Sequence, residues 1–204
     1  MILRNRAIVL RGSALAGLML LLGACAAPVL RPDSASLAAQ ESRERELASQ
    51  PDWSLTARLA VSSADDGGSG SLEWQQRGPA FRFAVHAPVT GKTWVLSGDN
   101  RDAVLEGLRA APIRGRDAAQ LLERELGWQV PVAELRSWVR GIRAPGRAEL
   151  LFRSDGLPAE LAQAGWIVEY RDYDLTQQPP LPRKIFARRG DYKVRLVVQR
   201  WQMP

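Results

Sequence analysis

The chain has 204 residues, with 28 Lys and Arg against 22 Asp and Glu, a formal net charge of +6, one cysteine and one histidine. That length suits one ordinary domain with a real core. A single cysteine excludes an intramolecular disulfide, one histidine argues against a zinc cluster, and so small a charge excess is weak ground for nucleic-acid binding.

The first element reads as a signal. Arg4, Arg6 and Arg11 precede an apolar run, Ala14 to Leu22, which is too short to span a bilayer. Leu22-Gly23-Ala24-Cys25 then looks like a bacterial lipobox, in which the cysteine sulfur receives a diacylglyceryl group and cleavage leaves Cys25 as an acylated first residue. The plainer alternative is a soluble secreted protein with a spare cysteine. Removing 24 residues from 204 leaves 180, and with them go three arginines and no acid, so +6 falls to +3. That charge suits an anionic membrane surface or an acidic partner. Ala26, Ala27 and Pro28 place no acid after Cys25, which by the sorting rules of enteric bacteria implies the outer membrane. The expectation is a lipid-anchored, periplasm-facing monomer.

Residues 25–50 read as the acylated N-terminus and a tether, and the domain as 51–204. Pro28, Pro32 and the small polar residues to Ser36 offer no apolar face. From Leu37 to Leu47 the Glu and Arg spacing suits a short solvated helix, with disorder the equal alternative.

The folded part begins at Trp53. Trp53, Leu55, Ala57, Leu59 and Val61 alternate with Ser54, Thr56, Arg58 and Ser62, the period of a half-buried strand. Asp65 to Gly70 reads as a loop. Leu72 and Trp74, Phe81 to His86, Trp94 to Ser97 and Ala103 to Leu105 mark four more strands of an antiparallel meander. The period then changes. Asp117, with Gln120 three residues on, predicts a capped helix carrying Ala118, Leu121 and Leu122, stopped by Gly127. A second helix after Pro131 aligns Leu135, Trp138 and Val139 and ends at Gly141. Strand signals return at Glu149–Phe152, Trp166–Tyr173, Lys184–Ala187 and Lys193–Trp201. The pattern predicts an α+β domain with helices over one face of an antiparallel sheet.

The search for chemistry yields no catalytic residue, metal site or cofactor site. His86 sits in a strand pattern, Cys25 is committed to the anchor, and no Gly-x-Ser-x-Gly turn occurs. Gly91-Lys92-Thr93 matches the end of a phosphate loop, but the motif needs glycine where His86 stands. Asp65-Asp66 reads as a solvated turn. The aromatic content is what stands out: Trp53, Trp74, Trp94, Trp128, Trp138, Trp166 and Trp201 build either a Trp-rich core or the wall of an apolar cavity.

Several segments, in order, resemble the outer-membrane lipoprotein receptor family LolB. They are Trp53 with Ala57-Arg58-Leu59-Ala60-Val61, then Leu72-Glu73-Trp74-Gln75-Gln76, Ala87-Pro88-Val89-Thr90-Gly91 and Gly127-Trp128-Gln129-Val130-Pro131-Val132. Leu135 to Gly141, Gly165 to Tyr170 with Tyr173, and Leu181-Pro182 complete the set. The resemblance implies an incomplete antiparallel β-barrel whose short helices form a lid over an apolar hollow. It also implies a non-enzymatic receptor that takes acylated lipoproteins from the periplasmic carrier LolA and inserts them into outer-membrane lipid. The resemblance also implies an apolar residue at the tip of a protruding loop, just after a proline, which maps to Val89; the family's leucine followed directly by glycine is here valine with an extra threonine, Thr90, before Gly91. Nominees for the acyl-chain cavity are Leu59, Val61, Trp74, Phe83, Val85, Trp94 and Leu96 on strands, and Leu122, Leu135 and Trp138 on helices. Alternation places each on a face but does not separate cavity wall from plain core. A scaffold lipoprotein that binds another envelope protein through the same strands is the rival reading; it would have a close-packed interior.

Overall fold

The computed structural model describes residues 29–63, 67–87 and 91–203; Cys25, the signal, Asp65-Asp66 and Val89 lie outside the described residues. One meander runs through β1 (Trp53–Ser62), β2 (Gly67–Arg77), β3 (Ala80–Ala87), β4 (Lys92–Gly98), β5 (Ala103–Glu106) and β6 (Ile113–Gly115). A second runs through β7 (Ala148–Phe152), β8 (Pro158–Gln163), β9 (Trp166–Asp174), β10 (Leu181–Arg189) and β11 (Tyr192–Gln202). β1 pairs with β11, so the two meanders join into one antiparallel sheet of order β6-β5-β4-β3-β2-β1-β11-β10-β9-β8-β7.

That order leaves β6 and β7 as the two edges of a sheet that does not close. The chain between them must travel from edge to edge, and it does so over the inner face as α2 (Ala118–Leu126) and α3 (Val132–Trp138). The expected α+β half-barrel with helices across it is therefore present, and the connectivity explains why the helices cover the hollow.

Local chemistry sets the elements. In β1, Trp53, Leu55, Ala57 and Val61 point inward and are buried, while Thr56 and Arg58 are exposed. The Asp117 carboxylate accepts from the Gln120 backbone N–H at 3.0 Å, capping α2 as its sequence predicts. Gly127 ends α2 in the left-handed conformation, φ 69°.

The sheet departs from the expected pattern in three places. β6 and β8 are strands where none was expected: β8 is rich in Ala and Glu, poor strand formers, and is held by pairing with β7 and β9 on both sides. The glycines at 67–70, read as loop, already belong to β2. A Cβ on Gly70 would sit 2.3 Å from the His86 carbonyl oxygen, and one on Gly68 would sit 2.8 Å from the Trp128 ring, so these glycines permit close approach within a strand.

The third departure is the supposed tether. Residues Ser34–Ala48 form α1, capped by Asp33, and it packs on the domain with Gln40, Arg43 and Leu47 buried. The C-terminal carbonyls of α1 and α3 are capped reciprocally by arginines. Arg43 donates to the carbonyls of Arg140 (2.7 Å), Gly141 (2.8 Å) and Pro180 (2.7 Å), while Arg140 donates to those of Leu47 (2.7 Å) and Gln50 (3.1 Å). Orphan carbonyls at a helix end favour such cations. Burial pushes the Arg43 guanidinium down in pKa and that of Arg140 to about 10, with Arg136 and Arg43 repelling Arg140 further. Upstream, Leu30 exchanges both backbone hydrogen bonds with Phe152 on the β7 edge (2.7 and 2.9 Å). The glutamate–arginine spacing did signal a helix, but not the face it buries.

Glu44 fixes α1 as well, through Arg143 Nε at 2.9 Å and Nη2 at 2.7 Å. Burial pushes its carboxyl up, but the hydrogen bonds from Arg143 and Gln40 outweigh that and hold it below the ordinary value of 4.5. Its contribution is therefore present above pH 4.5 and lost as pH falls through the lower, folded value. Protection of the backbone amides of residues 34–48, taken as the exchange rate relative to the intrinsic rate at each pH, should fall in acid in the wild-type chain. Glu44→Gln should reduce that pH dependence, leaving the part that belongs to the Asp33 cap; an unchanged acid response would rule out the Glu44 carboxylate as a source.

Candidate functional site

Between the sheet and the two lid helices lies a hollow of about 60 Å³ lined by sixteen residues, all apolar. Its floor is contiguous: Trp94 on β4, Phe83 and Val85 on β3, Leu72 and Trp74 on β2, Leu59 and Val61 on β1, Val194 and Leu196 on β11, Ile185 and Ala187 on β10. These are the six central strands of the sheet. Its roof is Leu122 of α2, Trp128 and Val130 of the connection, Leu135 of α3 and Val139 just beyond it. No side chain in the lining carries a charge, so the site offers an apolar guest area and nothing to ionise or polarise it. Among the described residues, no three His, Cys, Asp or Glu side chains gather as metal ligands, and no helix is long and apolar enough to cross a membrane.

The roof is fastened unevenly. At the C-terminal end of α3, the Trp138 indole is fully buried, donates to Gln163 Oε1 at 2.9 Å and lies 6.4 Å from the Trp166 ring. Gln163 in turn bonds both backbone groups of Ala144, and the Tyr170 hydroxyl donates to the Trp138 carbonyl at 3.0 Å. Burial raises the pKa values of Tyr170 and Tyr173, so both stay neutral donors. At the α2–α3 connection the polar tie to the sheet is the exposed hydrogen bond from Arg189 to Gln129 (3.1 Å), beside the Trp128 ring packed 5.7 Å from that of Trp94. Such surface bonds are individually worth little.

Comparison with known proteins agrees with this geometry. The family model "Outer membrane lipoprotein LolB" matches residues 51–201. The chain is 39% identical over 211 aligned residues to an outer-membrane lipoprotein LolB of Xanthomonas campestris pv. campestris, covering 97% of each chain. It is 38% identical to that of Xanthomonas axonopodis pv. citri, covering 96% of each. The chain belongs to the LolB family. In fold it is similar to a LolA superfamily protein from Nitrosomonas europaea, with a TM-score of 0.53 at 12% identity, covering 83% of this chain and 93% of that one.

Two of the family-like segments now have a place. Gly127 to Val132 covers the connection between the lid helices and the first residue of α3, and puts Trp128 and Val130 into the roof. Of the other segment, Ala87 ends β3 and Gly91 precedes β4 at the same end of the sheet as the β8–β9 and β10–β11 turns, and residues 88–90 lie outside the described residues. Of the ten nominated cavity residues, the structure brings Leu59, Val61, Trp74, Phe83, Val85, Trp94, Leu122 and Leu135 together around the hollow. Leu96 and Trp138 lie elsewhere. Leu96 is fully buried beside its cross-strand neighbour Leu105, and Trp138 is core glued to β8 and β9. The inner faces of β10 and β11 were missed as lining, although their alternation was visible, because only the β1–β11 pairing places them beneath the lid. The tryptophans divide likewise: Trp74, Trp94 and Trp128 line the hollow, while Trp53, Trp138, Trp166 and Trp201 are core.

Proposed function

We propose that this protein is an outer-membrane receptor, anchored through acylated Cys25, which takes acylated lipoproteins from the periplasmic carrier LolA and passes them into the outer-membrane lipid. The observation that carries the reading is the uninterrupted apolar lining of the hollow. Burying one acyl chain of about 15 methylenes at about 0.8 kcal/mol each is worth on the order of 12 kcal/mol. Release into water is thereby ruled out, and the cargo has to move from cavity to cavity and then to bilayer. No catalytic step, cofactor or nucleotide belongs to this handover.

A hollow of about 60 Å³ holds on the order of four to six waters, since one needs roughly 10–15 Å³. A whole acyl chain needs more, so the roof has to rise. The uneven fastening sets the direction: the α2–α3 connection lifts, breaking the Arg189–Gln129 bond and parting Trp128 from Trp94, while the Trp138 end stays fixed as the pivot. The test is transfer of a triacylated lipoprotein from preloaded LolA to this protein without nucleotide. Cargo that stays on a competent carrier, with the receptor domain folded, would favour the scaffold alternative.

Val89, between β3 and β4 in the chain, is in this reading the residue that meets lipid. Val89→Glu should accept cargo normally yet fail to deliver it to membranes, as read by the fraction of cargo floating with liposomes. Normal delivery would remove Val89 from the insertion step.

A further inference from the structure

The outer face of the sheet carries a feature that cargo binding does not use. Arg58, Arg171, Lys184, Arg188, Lys193 and Arg195 stand exposed on four adjacent strands, β1, β11, β10 and β9. The register gathers them into cross-strand rows: Arg58 and Lys184 both face Val197, Arg188 faces Lys193, and Arg195 faces Phe186. Among the described residues three acids share those strands, Glu169, Asp172 and, at the end of β9, Asp174. Glu169 is engaged by Arg171 (2.8 Å) and Arg188 (3.7 Å), and Asp172 by Lys184 (3.8 Å). Glu73 on β2 and Glu160 on β8 mark the margins. Arg58, Lys193 and Arg195 form no ion pair among the described residues. At the centre, Phe186 lies under the guanidinium groups of Arg171 (4.1 Å) and Arg195 (5.6 Å), and Val197 is 36% exposed. A half-exposed apolar centre ringed by surplus cations matches the interface of an anionic bilayer, where each Lys or Arg adds about fivefold to binding.

The chain's own covalent path points the same way. Cys25 precedes Leu30 by five residues, a reach of at most about 18 Å. Leu30 is pinned to Phe152 on β7, and β10 is three strands away, about 14 Å at the usual strand spacing. A lipid on Cys25 would therefore hold the bilayer beside these basic rows.

We propose that the convex face of β9, β10, β11 and β1 docks on anionic phospholipid headgroups, so that the anchored domain lies on the back of its sheet with the lid and hollow turned toward the periplasm. The inference rests on the anchor at Cys25 proposed above. In this posture the strands run along the membrane plane. The Leu30 end of the sheet then lies beside the anchor.

The test uses the full acylated chain in phosphatidylcholine vesicles with or without phosphatidylglycerol. With Cys25 blocked by lipid, Val197→Cys supplies a single thiol on the face, and Gln120→Cys supplies one on exposed α2 as a control. Maleimide labelling of Val197→Cys should slow about tenfold or more with phosphatidylglycerol and recover in high salt. Labelling of Gln120→Cys should be the same in both vesicles. Adding Arg58→Gln, Lys193→Gln and Arg195→Gln should restore labelling at 197. Equal labelling of Val197→Cys in the two vesicles, on chains that float with both, overturns the docking face and leaves the anchor and receptor reading standing. Chains that float with neither overturn the anchor and the docking face together.

Discussion

Trp138→Ala should destabilise the domain by about 3–5 kcal/mol, the range for emptying a fully buried aromatic site. Its indole fills the junction of α3, β8 and β9, and deleting it leaves a cavity against Trp166 and removes the bond to Gln163. Gln163 keeps its pair of bonds to Ala144, so no buried amide is stranded and the loss is mainly packing. Trp138→Phe keeps most of the apolar volume and should cost less, about 1–2 kcal/mol, chiefly the indole hydrogen bond and some contact area. Urea unfolding of the two variants beside wild type measures both. A loss under about 1 kcal/mol for the alanine variant would mean that the α3 pivot is not where the lid is held.

Leu135→Glu should do the opposite: leave the fold standing and abolish acyl-chain binding. Leu135 lies on the same helix one turn earlier, half-buried, with its side chain on the hollow. A carboxylate there can turn toward solvent in the empty protein, so the change in melting temperature should be a few degrees. With an acyl chain in place the same carboxylate must be desolvated in a hollow whose other fifteen lining residues are apolar, or expel the guest. Either course costs several kcal/mol, and affinity should fall at least about 100-fold. Leu135→Met, which conserves volume and apolarity, should bind within a few-fold of wild type. Binding of a fluorescent long-chain fatty acid, measured beside thermal unfolding, separates the two variants. Undiminished binding by folded Leu135→Glu would place the guest somewhere other than this hollow.

The contrast between Trp138 and Leu135 also marks the boundary of what could be read in advance. Helical spacing put Leu135, Trp138 and Val139 on one apolar face and nominated the first two for the cavity. Two of the three line the hollow, Leu135 and Val139, and Trp138 does not. A helix face spans a wide arc, and where that arc meets floor and where it meets empty space depends on the strand it packs against. Trp138 meets β8, a strand whose Ala and Glu content gave no sign of it. The same holds for α1. Its charge spacing announced a helix, but the burial of Arg43 arises from carbonyls about a hundred residues away at Arg140, Gly141 and Pro180. No local pattern contains that partner.

By itself, then, the sequence determined the chain's local grammar and its kinship. Alternating apolar residues specified most of the strands, the Asp117 cap and Gly127 stop bounded α2, and the ordered motifs from Trp53 to Trp201 identified the family that the comparisons show. Tertiary structure alone decided that β1 pairs with β11, and this one pairing brings Val194, Leu196, Ile185 and Ala187 under the lid and turns two meanders into one open sheet. It also decided which tryptophans face the hollow and that α1 is bound to the domain. Periodicity reports which way a side chain points relative to its own backbone. Whether it points at another side chain, at a vacancy or at solvent is a property of elements far apart in the chain, set by how their faces pack together.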